Sequence, residues 1–196
     1  MSLIVLATTN PGKANEFQSI LGENFEVFVP LELPFVLEDG ETLAENAYKK
    51  ARGASDYLGL AALADDSGLF VAALDGQPGV HSARFAGQDS DDAANRAKLI
   101  EMIRGISDRR AYFATVLCLC APGTPFDEAI FFEGRCDGEL LDHEAGSNGF
   151  GYDPIFVPQD GDGRTFGEMT ANEKAELSHR SKAISKLRVS LLEKPF

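Results

Sequence analysis

Three stretches of this chain carry residues whose types and spacing could handle a polyphosphate. Thr8-Thr9-Asn10-Pro11-Gly12-Lys13 joins an apolar run to a helical pattern. A helix N-terminus offers N–H groups and the positive end of its dipole, so it can hold phosphate. Lys13 in a first turn is unfavourable for the helix itself, which a bound anion would explain. A capped turn with a solvated lysine explains it equally, and no G-x-x-x-x-G-K-[ST] loop is present. Asp65 and Asp66 follow a second apolar run, where α/β sheets carry their sites. Successive strand residues face opposite ways, so one carboxylate should face a ligand while the other holds the loop or meets a metal through water. Mg²⁺ takes one or two carboxylates, waters and phosphate oxygens, and Glu38-Asp39-Gly40-Glu41 offers further acids. Asp-Asp-Ser-Gly also reads as a solvated turn. The third stretch, 147–154, sets Phe150 and Tyr152 among Gly149 and Gly151, followed by Asp153, a loop able to approach a flat ligand. Lys174, Ser178, His179 and Arg180 lie in the expected first turns of the last helix, with Lys174 and Ser178 on one face. That stretch could equally be a solvated helix face.

Composition limits the partners. The 196 residues suit one domain, 1–196, with two lobes allowed and a real core to bury. A net charge of −13 repels a nucleic-acid backbone, but not a small polyanion held by a metal and local cations. No apolar run approaches the roughly 20 residues of a spanning helix, and the start lacks a basic leader, so no membrane and a cytoplasmic location are expected. Cys118, Cys120 and Cys136 suit a reducing compartment. The first two make a C-x-C on one face of a strand, read as buried apolar residues.

The elements that must position these residues follow from periodicity and punctuation. Strands are expected at 3–7, 25–29 and 60–64, the third ending at Asp65-Asp66-Ser67-Gly68, with a further short strand at 70–74. Asn10 as cap and Pro11 at the first position predict a helix over 11–22. Thr42-Leu43-Ala44-Glu45 is a capping box opening a helix to 58. A helix over 91–104, started by Asp89 or Ser90, precedes long strands at 110–121 and 128–140, a loop at 143–153 and a strand at 154–157. Thr170-Ala171-Asn172-Glu173 opens one C-terminal helix with Leu177, Ile184, Leu187 and Leu191 on its stripe. The class is α/β with a mixed sheet.

Taken together, A-T-T-N-P-G-K (7–13), E-D-G-E-T-L-A-E-N-A-x-x-K-A (38–51), A-D-D-S-G-L (64–69), P-G-V-H-S-A-R-F-A-G (78–87), G-F-G-Y-D-P-I-F (149–156) and E-K-A-x-x-S-H-R (173–180) stand in one order. In that order they resemble the inosine/xanthosine triphosphate pyrophosphatase family, which cleaves non-canonical purine nucleoside triphosphates. Thr9 and His81 depart from the residues common there, and neither departure disturbs an expected ligand. The resemblance implies an elongated two-lobed α/β fold, with a central mixed sheet flanked by helices, a cleft between the lobes, and a homodimer. It implies Mg²⁺-dependent hydrolysis of ITP, dITP and XTP to the monophosphate and pyrophosphate, which clears deaminated purines from the nucleotide pool.

By the same resemblance, Thr8, Thr9, Asn10, Pro11, Gly12 and Lys13 would hold the triphosphate, with Lys13 also catalytic. Glu38 and Asp66 would serve the metal, and Asp66 would take the proton from the attacking water. Ser67 would touch substrate. Phe150, Gly151, Tyr152 and Asp153 would close over base and sugar, with Phe150 as the stacking platform. Lys174, His179 and Arg180 would complete the base and phosphate contacts. A Maf-like pyrophosphatase of pyrimidine or modified nucleotides, and a nucleotide sensor without catalysis, are the rival readings. His81, Arg84, His143 and the acids Asp89, Asp91 and Asp92 read as turn, loop and helix-start residues.

Overall fold

A computed structural model describes residues 2–87 and 91–193. The proposed helix starts at Asp89 or Ser90 therefore lie outside the described residues. The elements are β1 (Ser2–Leu6), α1 (Pro11–Leu21), β2 (Phe25–Phe28), α2 (Leu43–Leu58), β3 (Ala62–Val71), β4 (Pro78–Gly79), α3 (Asp92–Met102), β5 (Arg110–Cys120), β6 (Ile130–Leu140), β7 (Phe156–Pro158), α4 (Ala171–Leu177) and α5 (His179–Glu193), with short 3₁₀ turns between some of them. They make a mixed α/β fold with helices around one seven-stranded sheet. Its order is β2-β1-β3-β5-β6-β7, with β4 paired to β3. β1 runs parallel to β2 and β3, whereas β3–β4 and β6–β7 are antiparallel.

Local chemistry sets most boundaries. Asn10 caps α1, with Pro11 at its first position. Thr42 and Glu45 complete the expected capping box of α2, and Gly59 ends that helix in the left-handed region. Asp91 caps α3.

Two expectations need correction. Asp65-Asp66-Ser67-Gly68 is not a turn between two strands: β3 runs unbroken from Ala62 to Val71. Both carboxylates are met by cations inside the protein, so they need no solvent-facing turn, and their strand is buried at Asp65 and Asp66. Gly68 serves the sheet instead. A Cβ there would meet the Gly79 carbonyl oxygen at 2.4 Å, so only glycine permits the β3–β4 approach. The C-terminal helix is also not single. Ser178 takes an extended backbone (φ −68, ψ 152) after its N–H closes the last turn on the Lys174 carbonyl, and α5 starts afresh at His179. Lys174 and Arg180 therefore sit on different helices.

The chain folds as two compact units: Met1–Asp66, Thr115–Gly134 and Arg180–Phe196 in one, and Ser67–Ala114 and Arg135–His179 in the other. The core of the first gathers Leu6, Phe17, Leu21, Leu63, Leu117, Ile184 and Leu187. The core of the second gathers Leu69, Leu99, Ile103, Phe113, Ile155, Phe156 and Phe166.

Candidate active site

In the first unit, β3 delivers two adjacent carboxylates to two lysines from different helices. Lys13 Nζ of α1 lies 2.9 Å from Asp65 Oδ2, and the Arg180 Nε of α5 lies 3.4 Å from the same oxygen. Arg180 also pairs with Glu16, one helical turn after Lys13. On the other carboxylate, Lys50 Nζ of α2 stands 2.8 Å from Asp66 Oδ1 and 3.0 Å from Glu38 Oε2. Asn46 Nδ2 donates to Asp66 Oδ2 at 3.3 Å, while Asn46 Oδ1 accepts from the Gly40 amide, so one side chain ties the Glu38 loop to β3.

These surroundings separate the two acids. Burial pushes Asp65 upward, but Lys13, Arg180 and Lys50 outweigh it and hold the carboxyl well below its usual range. For Asp66 burial prevails over Lys50 and raises the value. Lys13 is lowered by burial, despite Asp65. Lys50 is raised, because Asp66, Asp65 and Glu38 together overcome its burial. Neighbouring acids driven apart in this way are typical of sites where one acid holds structure and the other does chemistry.

The turn before α1 works differently from the sequence expectation. The Asn10 N–H donates to Thr8 Oγ1, and the Gly12 and Lys13 N–H groups donate to Asn10 Oδ1. Pro11 has no N–H. In this conformation these three amides serve the turn and the cap, which leaves the side chains, Lys13 among them, as the groups that could meet an anion. Thr8 is buried, Thr9 exposed, and Asn10, Gly12 and Lys13 half-buried.

The donor set suits a hard divalent ion. Glu38 and Asp66 already converge on one cation, the Lys50 ammonium, through oxygens alone. Two carboxylates with room left for water and phosphate oxygens is the pattern Mg²⁺ accepts. Lys13, Lys50 and Arg180 against Glu16, Glu38, Asp65 and Asp66 leave this cluster at −1, and a divalent ion would turn it to +1.

In the second unit, Asp153 organises the aromatic loop. Its Oδ2 accepts from the Phe150 N–H at 2.9 Å and from Lys174 Nζ at 2.7 Å. Lys174 Nζ also lies 4.6 Å from the Phe150 ring centroid. Gly149 is required here, since a Cβ would fall 2.0 Å from Asp153 Oδ2. Phe150 is half-buried, whereas Tyr152 turns into the core and donates its hydroxyl to the Ser82 carbonyl at 2.8 Å. His179 is buried too, stacked on Phe113 with centroids 4.7 Å apart. Ser67 follows Asp66 in β3 and is half-buried. The structure thus gathers the Thr8–Lys13 turn, Glu38, Asp66 and Arg180 in one unit, and Phe150, Asp153 and Lys174 in the other. Tyr152 and His179 lie buried in that second unit, Tyr152 bonded to Ser82 and His179 stacked on Phe113.

Sequence reasoning passed over Lys50, Asn46 and Glu16. A signal for the first two existed: α2 buries Leu43, Ala47, Ala51 and Ala54, and Asn46 and Lys50, spaced i, i+4, interrupt that buried side with polar groups that need partners. Glu16 offered none beyond its place one turn after Lys13. Among the described residues no group of three or more His, Cys, Asp or Glu forms a metal cluster, and no helix is long and apolar enough to cross a membrane.

A mixed α/β sheet carrying paired carboxylate–lysine contacts defines a protein built to neutralise charge at a buried acid pair. Comparison with known proteins narrows this. The profile of the Ham1 family matches residues 4–190, and the chain belongs to that family. It is 49% identical over 195 residues to a dITP/XTP pyrophosphatase of Syntrophobacter fumaroxidans, covering 95% of this chain and 80% of that protein. A dITP/XTP pyrophosphatase of Desulfotalea psychrophila is 46% identical, with 95% and 83% covered. Among solved structures, a HAM1 protein from Coxiella burnetii superimposes with a TM-score of 0.89 at 39% identity, covering 99% of this chain and all of that one.

Proposed function

We propose that this chain is a nucleoside-triphosphate pyrophosphatase that hydrolyses dITP, XTP and ITP to the monophosphate and pyrophosphate, acting as one domain over 1–196. The observation that carries the reading is the convergence of Glu38 and Asp66 on one cation, next to the Lys13–Asp65–Arg180 contacts. The sequence similarity to dITP/XTP pyrophosphatases over nearly the whole chain supports it. The chain crosses between its units four times, which supports treating them as one functional domain.

In the reaction, a water oxygen bonds to the α-phosphorus, the bond from that phosphorus to the α–β bridging oxygen breaks, and pyrophosphate leaves. Lys13 neutralises phosphate charge, aided by the side chains of the 8–13 turn, and Asp65 holds Lys13 and Arg180 in place. Asp66 orients the water and receives its proton. Glu38 and Asp66 would hold Mg²⁺, which when bound neutralises the charge that develops on the leaving group. Phe150 stacks on the base, with Lys174 and Asp153 fixing its ring, and Ser67, Tyr152 and His179 support the sugar and base end. Such catalysis is positioning and charge stabilisation.

Hypoxanthine and xanthine carry a C6 carbonyl and a protonated N1, whereas adenine carries an amino group and a bare N1, and guanine adds a 2-amino group. A pocket that hydrogen-bonds the first pattern can reject adenine, which leaves its polar groups unpaired, by about 10⁴–10⁵; guanine shares that pattern and can be refused only at its 2-amino group. Pyrophosphate release from the five purine triphosphates ITP, dITP, XTP, ATP and GTP, and from CTP and UTP, with and without Mg²⁺, is the test. Preference for the first three with Mg²⁺ is expected; equal turnover of all five at low concentration, or preference for pyrimidine triphosphates, refutes the reading.

We also infer a cytoplasmic homodimer. Three free cysteines suit a reducing compartment, and Leu31 and Phe35, 103% and 92% exposed, are apolar surface that a partner subunit would cover. Light scattering should give twice the chain mass.

A further inference from the structure

One helix grips the aromatic loop by both polar groups of a single residue. The Gly151 N–H donates to Asp92 Oδ2 at 2.7 Å, and the Gly151 carbonyl accepts from Arg96 Nη1 at 2.8 Å. Asp92 and Arg96 are four apart on α3, hence on one face. That helix is well anchored: Asp91 Oδ1 caps the Ala93 and Ala94 amides, and Leu99 sits in the core. Arg96 is further fixed by Glu144 at 2.9 Å.

The loop needs such a hold. Gly149 and Gly151 flank Phe150 with φ of +75 and +61. Nothing lies within 4 Å of a Cβ at Gly151, so glycine stands there for its backbone conformation and not for space. Two such residues leave the backbone on either side of Phe150 conformationally permissive unless side chains pin it. Asp153 pins the Phe150 amide from within, and α3 pins the next residue from outside.

We propose that Asp92 and Arg96 are positioning residues for base recognition, pre-orienting the Phe150 ring by clamping the Gly151 backbone. This rests on the reading of Phe150 as the base-stacking residue. Neither residue touches substrate; each moves the ordering of the loop from the binding step into folding.

The test is steady-state kinetics of Asp92→Ala, Arg96→Ala, Phe150→Ala and the double variant Asp92→Ala/Phe150→Ala, on dITP and dATP. Asp92 is exposed, so its replacement leaves the core intact and the melting temperature near the parent's. Each clamp variant should raise KM for dITP about tenfold, keep kcat within about twofold and narrow the preference over dATP. Asp92→Asn and Arg96→Lys, which retain an acceptor and a donor, should recover most of the loss. In the Phe150→Ala background the Asp92→Ala effect should vanish. A parental KM in Phe150→Ala sinks the stacking reading. A raised KM there beside parental KM in both clamp variants, or an undiminished Asp92→Ala effect in the double variant, sinks this inference alone.

Discussion

Asp65 and Asp66 are consecutive residues of β3, yet each meets a lysine from a different helix: Lys13 at 2.9 Å and Lys50 at 2.8 Å. Strand alternation makes this possible, because neighbouring side chains leave the sheet on opposite faces. The result is a division of labour. Asp65 shares one oxygen between Lys13 and Arg180 and is held deprotonated by them. Asp66, with Lys50, Glu38 and Asn46 about it, keeps the higher proton affinity of the two.

Asparagine in place of each acid should therefore give different failures. Asp66→Asn should keep the fold and lose turnover by about 10²–10⁴, the usual worth of a positioned acid or base. Asp65→Asn keeps an acceptor but removes the negative charge that Lys13 and Arg180 share, a broken buried ion pair that costs about 3 kcal/mol or more. Its melting temperature should drop clearly, and KM should rise as Lys13 loses its place. Near-normal turnover in Asp66→Asn with Mg²⁺ present would overturn the assignment.

The same pair marks what the residues alone could and could not disclose. Caps are local, so Thr42 with Glu45 and Thr170 with Glu173 mark where α2 and α4 begin. Both acids were legible as a candidate site for the same reason. Their strand was not, because Asp-Asp-Ser-Gly has turn chemistry, and only the distant Lys13, Lys50 and Gly79 make a buried strand tolerable there. The break at Ser178 was hidden likewise: the apolar stripe continues through it, so periodicity alone read one helix where α4 and α5 are two. The Asn10 side chain that marks the cap also accepts from the Gly12 and Lys13 amides, a pairing that the residue types alone do not give. Lys50 was in plain view within a matching stretch, but its role depends on Glu38, twelve residues away, curling back to the same ammonium.

Lys50 offers a test of the metal site that does not depend on turnover. Lys50→Met would leave Glu38 and Asp66 facing one another without the cation they share. Mg²⁺ alone should then raise the melting temperature of the variant by more than that of the parent, since the ion takes over neutralisation of both acids. Calorimetric scans with increasing MgCl₂ and no nucleotide read this out. Equal shifts in parent and variant would place the metal elsewhere.

Lys13 should act on every triphosphate alike. Its ammonium pairs with Asp65, an acid it shares with Arg180, in the unit that holds Glu38 and Asp66, whereas Phe150, Asp153 and Lys174 belong to the other unit. Lys13→Ala should weaken kcat/KM for ITP, dITP and ATP by similar factors and leave the ratios between them unchanged, the signature of lost uniform charge stabilisation. Variation of those ratios by more than about threefold would assign Lys13 to base recognition instead.

Acid stability should report on the start of α4, which carries Lys174. Arg164 Nη2 donates to Glu173 Oε1 at 2.7 Å, and the Thr170 N–H and hydroxyl donate to Glu173 Oε2 at 2.7 and 2.8 Å. Chiefly through Arg164, these contacts hold the Glu173 carboxyl down at about 2 from an ordinary 4.5. Because the folded value lies below the unfolded one, the contribution is complete above the unfolded value and fades as pH falls from about 4.5 towards 2. Glu173→Gln removes the titrating group while keeping an acceptor. The variant should melt below the parent at pH 7, and the gap should close progressively between those two pH values. A gap that stays constant across that window would mean that the carboxylate's charge contributes nothing to holding α4, and that only the capping geometry of Thr170 matters.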